Sequence, residues 1–317
     1  PPGPEAAMGA TFQGLAPVMI VIAIGWSLVR FGVIAEAQRG GIEKLAYFVL
    51  FPCLIAGTLA GAELGALPWK GLGLTLLLSI LTMAAIVLAS RKALERRLGV
   101  DGPALTSIFQ GSTRWNTFIG LALGGSLYGR EGIALIAVAM VAMIPALNVM
   151  AVTVLSRYAG AGRPSALTLL RELARNPLII ACVVGLAMAG LGVDLDGVIG
   201  NTIDIFGRGA LGVSLITVGA GLNLGALRRP TRVHWLGTAL RLLLMPVIGI
   251  TYATLIGLEG LGIETVVVAL AVPTAPASFL LARQLGGDAK LMAEIITLQT
   301  VCAMITLPLW VALSHYL

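Results

Sequence analysis

Gln110-Gly111-Ser112-Thr113-Arg114-Trp115-Asn116-Thr117 is a polar run inside an otherwise apolar stretch, 104–127. Moved along by 160 residues, its Thr113-to-Thr117 part falls on Pro273-Thr274-Ala275-Pro276-Ala277, an interruption of a second apolar stretch, 262–286. The same offset carries Pro17, Gly25 and Gly32 onto Pro177, Gly185 and Gly192, and Gly61 onto Gly221. It also carries Leu64-Gly65-Ala66-Leu67 onto Leu224-Gly225-Ala226-Leu227. The chain reads as a duplication broken at matching points in both copies. In an apolar chain that is the sequence sign of a secondary transporter.

The 317 residues are 58% hydrophobic and only 11% charged, with a mean hydropathy of +0.96. A water-soluble domain of this length cannot hide so much apolar surface, so lipid is the expected solvent. Ten stretches recur at 13–35, 42–62, 69–90, 104–127, 131–157, 177–193, 197–222, 233–258, 262–286 and 289–315. Their lengths suit a hydrocarbon core of about 30 Å crossed at about 1.5 Å per residue. Residues 1–12 read as a leader or tag remnant, 13–157 as a first five-helix repeat, 158–176 as a linker and 177–317 as a second repeat. The first apolar run lacks a basic leader and a small-residue cleavage site, so it reads as a span, not a signal peptide.

Charge fixes the expected orientation. Loops after odd-numbered spans hold Arg39 and Lys44; Arg91, Lys92, Arg96 and Arg97; Arg163, Arg171 and Arg175; Arg228, Arg229 and Arg232; and Lys290. Loops after even-numbered spans offer only Lys70 and Arg130, beside Asp194, Asp196, Glu259 and Glu264. The positive-inside rule puts the basic loops in the cytoplasm and both termini outside a plasma (inner) membrane. The net charge of +6 thus marks topology and does not call for nucleic acid. An odd number of spans per half makes the repeat inverted. The linker, with leucines among Arg163 to Arg175, is expected to lie as an amphipathic helix on the inner membrane face. The expected fold is all-α, with ten transmembrane helices in a 5+5 inverted repeat and two broken helices, spans 4 and 9, that cross.

The breaks are where chemistry is expected. Pro273 and Pro276 each remove a backbone donor and clash with the preceding turn. Freed backbone groups at membrane depth are tolerated only where protein or a water-filled cavity satisfies them. Half-helices starting near Asn116 and Pro276 aim free N–H groups and partial positive charge inward. Arg114 adds a full charge that is costly at a helix centre. The centre should therefore attract an anion, most simply a carboxylate. Arg114 is the expected charge partner, with Thr113, Asn116 and Thr117 as donors. Pro273, Thr274, Pro276 and Ser278 shape the opposite wall. A buried ion pair is the competing reading of Arg114.

Gln299, mid-span and close after the second break, reads either as an inter-helix hydrogen-bonding residue or as a ligand contact. Glu294 pairs with Arg283 across neighbouring spans or carries a coupling proton. Asp204 and Arg208, spaced i and i+4, read as a structural pair. Arg241 is deep in span 8 and has no evident partner. No metal or cofactor is expected: His234 and His315 are too scattered for a metal site. Cys53, Cys182 and Cys302 lie in apolar runs as small core residues. The absence of HExxH, G-x-S-x-G and P-loop patterns argues against an enzyme.

Arg114-Trp115-Asn116-Thr117-Phe118-Ile119-Gly120-Leu121 resembles the R-x-N-x-x-x-G-L crossover of the auxin efflux carrier family. Pro273-Thr274-Ala275 and Ala282-Arg283-Gln284-Leu285-Gly286-Gly287-Asp288 are similar to its second crossover. Asn176-Pro177-Leu178-Ile179, Gly219-Ala220-Gly221-Leu222 and Thr306-Leu307-Pro308-Leu309-Trp310 fit in the same order, so the resemblance covers 14–317. It implies the bile acid:sodium symporter fold. There, spans 1, 2, 6 and 7 form a scaffold that is often a homodimer contact, and spans 3–5 and 8–10 form a moving transport unit. It also implies organic-anion substrates, auxin-like acids or malonate and malate, carried by alternating access. Ala122, Trp115 and Arg283 depart from the common pattern and leave the substrate open. No acidic residue stands at the second break, which favours uniport or proton coupling over sodium. Two rivals stand beside this reading: a sodium-coupled bile-acid-type symporter, and a non-transporting receptor on the same fold.

Overall fold

The computed structural model describes residues 4–62, 68–160, 167, 171, 174–193, 195–225 and 230–317, with side chains from Gln13 onward except that of Glu36. The described residues form helices and no strand. The first half contains α1 (Pro4–Arg30), α2 (Glu36–Leu45), a π turn (Ala46–Leu50), α3 (Phe51–Ala60), α4 (Trp69–Ala89), α5 (Arg91–Leu98), α6 (Gly102–Thr113) and α7 (Thr117–Tyr158). The second contains α8 (Pro177–Gly190), α9 (Gly197–Ala220), α10 (Arg232–Ala239), a second π turn (Leu240–Leu244) and α11 (Met245–Ile256). It closes with α12 (Leu261–Ala271), α13 (Ala277–Gln284) and α14 (Ala289–Ser314).

Seven helical stretches among the described residues are long and apolar enough to cross a membrane: Gln13–Arg30, Ala37–Ala60, Trp69–Ala89, Gly102–Tyr158, Gly197–Ala220, Arg232–Ile256 and Ala289–Ser314. Pro177–Gly190 and Leu261–Ala271 are apolar but shorter. Leu74, Leu81, Ile305 and Leu309 are among the many large apolar side chains left exposed. An outer surface of that kind suits hydrocarbon, not water. Seven is fewer than the ten expected stretches for local reasons. Gly129, at φ 59° and ψ −141°, kinks the long α7, and the expected fourth and fifth spans lie within one stretch. The expected ninth is cut between α12 and α13, leaving neither piece long enough. The expected amphipathic linker, and both Leu-Gly-Ala-Leu tetrads in part or whole, lie outside the described residues.

The chain divides into two compact units. The first comprises Pro1–Trp69, Phe118–Val141 and Leu170–Leu222. In it α1 packs on α9, and α3 packs on α8 and α9. Small residues make these approaches close. A Cβ on Gly25 would lie 2.2 Å from the Ile216 carbonyl oxygen, and one on Gly219 would lie 1.9 Å from that of Ile22. A Cβ on Gly185, the repeat partner of Gly25, would lie 2.8 Å from the Ala56 carbonyl oxygen. Both repeat-related glycines therefore do the same job, each letting its helix touch a neighbour's backbone. Phe51 and Phe118 stack with centroids 4.7 Å apart.

The second unit comprises Lys70–Thr117, Ala142–Leu169 and Asn223–Leu317. Here α14 packs on α6, α10, α12 and α13, and α12 packs on α11. Pro246, near the start of α11, has no N–H to give the carbonyl of Leu242 four residues back. That carbonyl instead accepts the Trp310 indole N–H at 2.7 Å, tying the π turn to α14.

Candidate functional site

Both polar interruptions are non-helical. The first lies between α6 and α7, with Arg114 extended at φ −76° and ψ 152°. The second lies between α12 and α13, with Val272 extended at φ −67° and ψ 148°. Pro273 accounts for the second: a residue before proline is pushed out of the α region. The outgoing helices begin at Thr117 and Ala277, which is the repeat offset to the residue.

The two interruptions meet inside the second unit. The Asn116 backbone N–H donates to the Pro273 carbonyl at 2.8 Å. The Thr274 hydroxyl donates to the carbonyl of Gly111 at 2.8 Å and lies 3.3 Å from that of Arg114. Gln299 is the hub. Its amide nitrogen donates to the carbonyls of Gly111 at 2.8 Å and Gly237 at 3.1 Å. Its amide oxygen accepts the Thr274 N–H at 2.9 Å. Of the two sequence readings of Gln299, the geometry gives the inter-helix one, with all three bonds going to backbone. A Cβ on Gly111 would sit 3.0 Å from an Ile295 methyl and in ordinary contact, 3.8 Å, with the Gln299 amide nitrogen.

Thr113 is buried and turns its hydroxyl back to the Phe109 carbonyl at 2.7 Å. Asn116, Thr274 and Ser278 are buried; Arg114, Thr117 and Pro276 are half-buried. Pro273 is buried in the same bend. The Ser278 hydroxyl, both polar atoms of the Gln110 amide and the Trp115 indole N–H are buried with no hydrogen-bond partner among the described residues. Gln110 precedes Gly111, Trp115 follows Arg114, and Ser278 is four residues beyond Thr274. These unmet groups belong to residues within a few positions of the two breaks, and buried polar groups are ordinarily paired.

Glu294 does not pair with Arg283. Its Oε2 lies 2.7 Å from His234 Nε2, while Arg283 lies over the Phe279 ring at 6.0 Å. The Thr231 backbone N–H donates to His234 Nδ1 at 3.1 Å, so Nδ1 is the acceptor and Nε2 carries the hydrogen toward Glu294. Arg241, without a partner in the sequence reading, has two: Nε donates to the Val272 carbonyl at 2.8 Å and Nη2 to that of Ala269 at 3.0 Å. Asp204 and Arg208 form the expected pair, with Nε to Oδ2 at 2.8 Å. They line a cleft of about 450 Å³ in the first unit, together with Arg130 and Asp196.

These features meet in a chain that matches the model of the membrane transport protein family over residues 10–311. An uncharacterized transporter of Methanothermobacter thermautotrophicus is 23% identical over 306 residues, covering 96% of this chain and 98% of the relative. An uncharacterized transporter of Methanocaldococcus jannaschii is 23% identical over 309 residues, covering 92% and 95%. The chain belongs to the membrane transport protein family, that of the auxin efflux carriers, and is an integral multi-pass membrane transporter.

Proposed function

We propose that this transporter carries a small organic anion, such as malonate, malate or an auxin-like acid, by alternating access around the two joined breaks. The observation that carries the reading is the Asn116–Pro273 hydrogen bond, which puts the Arg114 segment against the proline segment. The anion sits there with Arg114 as charge partner. Asn116, Thr117 and Ser278 offer donors, and Thr113, Pro273, Thr274 and Pro276 shape the wall. Gln299 holds that wall by its three backbone bonds. Two half-helices that start at repeat-related positions, Thr117 and Ala277, favour a ten-span inverted repeat with crossing spans 4 and 9. In that arrangement the basic loops face the cytoplasm and both termini face outside.

Movement follows the division of the chain. Spans 1, 2, 6 and 7 fall in the first compact unit, and spans 3, 8, 9 and 10 in the second. The first serves as the scaffold, the second as the transport unit. Residues Phe118–Val141, expected in the transport unit, cluster with the first. Coupling uses a proton at the Glu294–His234 pair. A second proton on His234 displaces the Thr231 N–H from Nδ1, and thereby loosens the first turn of α10.

Uptake of radiolabelled malate, malonate and indole acids into proteoliposomes tests the reading, with Arg114→Ala and Asn116→Ala beside the wild type. Saturable uptake lost in both variants is expected. Unchanged uptake in both overturns the site. Uptake that requires sodium favours the bile-acid-type symporter instead, and saturable binding without counterflow favours a receptor.

A further inference from the structure

Arg241 is fully buried, in the π turn between α10 and α11. A π turn inside a helical span often marks a functional position. Through Nε and Nη2 the guanidinium closes the carbonyl end of α12, one residue before Pro273. That accounts for only part of the group. Its Nη1 is buried with no hydrogen-bond partner among the described residues, and no carboxylate among them pairs with it. The carbonyl end of a helix carries about half an elementary charge. Among the described residues no carboxylate balances the remaining charge, a costly state within an apolar helical stretch unless a counter-ion arrives from outside.

The guanidinium charge sets the sign of that counter-ion as negative, and neighbouring hydroxyls can add donors to it. The Thr238 hydroxyl, three residues before Arg241, and the Ser278 hydroxyl are likewise buried with no partner among the described residues. Thr238 is on the same helical run as Arg241, and Ser278 is in the first turn of α13, the helix that leaves the second break. The duplication gives a reason as well. The first copy holds its cation, Arg114, within the break, whereas the second copy holds Thr274 there. Arg241 has no counterpart in the first copy, because the offset carries it onto Leu81, which is exposed. The second break thus takes its cation from the neighbouring helix.

We infer that Arg241 is an anion-recognition residue of the carrier: Nη1 meets a carboxylate oxygen of the transported anion, while Nε and Nη2 hold α12. This rests on the reading that the joined breaks carry an organic anion. The test uses the full chain in proteoliposomes with radiolabelled malate and malonate, comparing wild type, Arg241→Lys, Arg241→Gln and Asn116→Ala. Arg241→Lys keeps a charge and loses the forked donors. It is expected to keep its thermal unfolding midpoint within a few degrees yet raise KM at least about tenfold, with a smaller change in kcat; Arg241→Gln is expected to raise KM further. Wild-type KM in both folded Arg241 variants, with Asn116→Ala inactive in the same preparations, overturns the role of Arg241 and leaves the site at the breaks standing. Absence of uptake and of thermal stabilisation by either anion in the wild type overturns the underlying reading, and this inference with it. Should both Arg241 variants fail to fold, a wild-type crystal with bromosuccinate decides by its anomalous bromine signal. A ligand carboxylate within hydrogen-bonding distance of Nη1 supports the inference, and a ligand seated elsewhere overturns it.

Discussion

The backbone N–H of Asn116 donates to the carbonyl of Pro273 at 2.8 Å, so the two helix interruptions are physically one bend shared by two segments. The bond uses only main-chain atoms. Replacing the Asn116 side chain therefore leaves both atoms of this bond in place, whereas proline at 116 removes its donor.

Asn116→Ala is expected to leave the protein folded while lowering anion uptake by tenfold or more. Asn116→Pro removes the N–H itself and leaves the buried Pro273 carbonyl unmet, a loss of about 1–3 kcal/mol. Thermal unfolding in detergent, run beside uptake, distinguishes the two. A large drop in midpoint for the alanine variant contradicts this division.

Thr274 and Gln299 are graded in the same way. Thr274→Val deletes a hydroxyl, but the Gly111 carbonyl keeps the Gln299 amide, so the cost should be about 1 kcal/mol. Gln299→Met deletes the acceptor of the Thr274 N–H and both donors to Gly111 and Gly237. Its cost should exceed that of Thr274→Val by about 1–2 kcal/mol, because a buried N–H is stranded. Equal stability of the two variants in denaturant unfolding argues against Gln299 as the hub.

Gly219 and Gly212 share α9 and should respond in opposite directions. A Cβ on Gly219 meets the Ile22 carbonyl oxygen at 1.9 Å, and backbone cannot swing aside as a side-chain tip does. Gly219→Ala should destabilise by about 1–3 kcal/mol. Gly212 is exposed, with nothing within 4 Å of its Cβ position, and alanine there should stabilise the helix by up to about 1 kcal/mol. Two unfolding curves settle the pair; a stable Gly219→Ala counts against the close α1–α9 approach.

Glu294→Gln keeps the size of the side chain and a hydrogen-bond acceptor for His234 Nε2, but removes the negative charge that balances a second proton on His234. Uptake driven by a pH gradient should lose its dependence on that gradient, while exchange of labelled for unlabelled anion continues. Arg232 and Lys290 are the basic residues in the first turns of α10 and α14, and their neutral variants should leave the dependence in place. Gradient-dependent uptake by Glu294→Gln moves coupling elsewhere.

Residue types and their order determined much of this protein. Pro273 and Pro276 carry their own steric consequences, so the second interruption was legible from two letters. The polar run from Gln110 to Thr117 marked the first, although no proline stands there, and the 160-residue offset paired the two. Apolar length marked the membrane stretches, and the i, i+4 spacing named Asp204 and Arg208 as partners, because both signals act within a few turns of one helix.

The same signals missed two contacts and left a third, that of Gln299, open between two readings. Glu294 meets His234 and not Arg283, Arg241 closes α12, and the Gln299 amide serves three backbone groups. Each joins residues far apart in sequence and on different helices. Hydropathy and spacing record which side of a helix is apolar, not which rotation brings a buried donor to a particular carbonyl. That choice belongs to packing. The unpaired N–H and C=O groups left by the two breaks had to find partners without water, and only the folded arrangement decided that Asn116, Thr274, Gln299 and Arg241 would supply them.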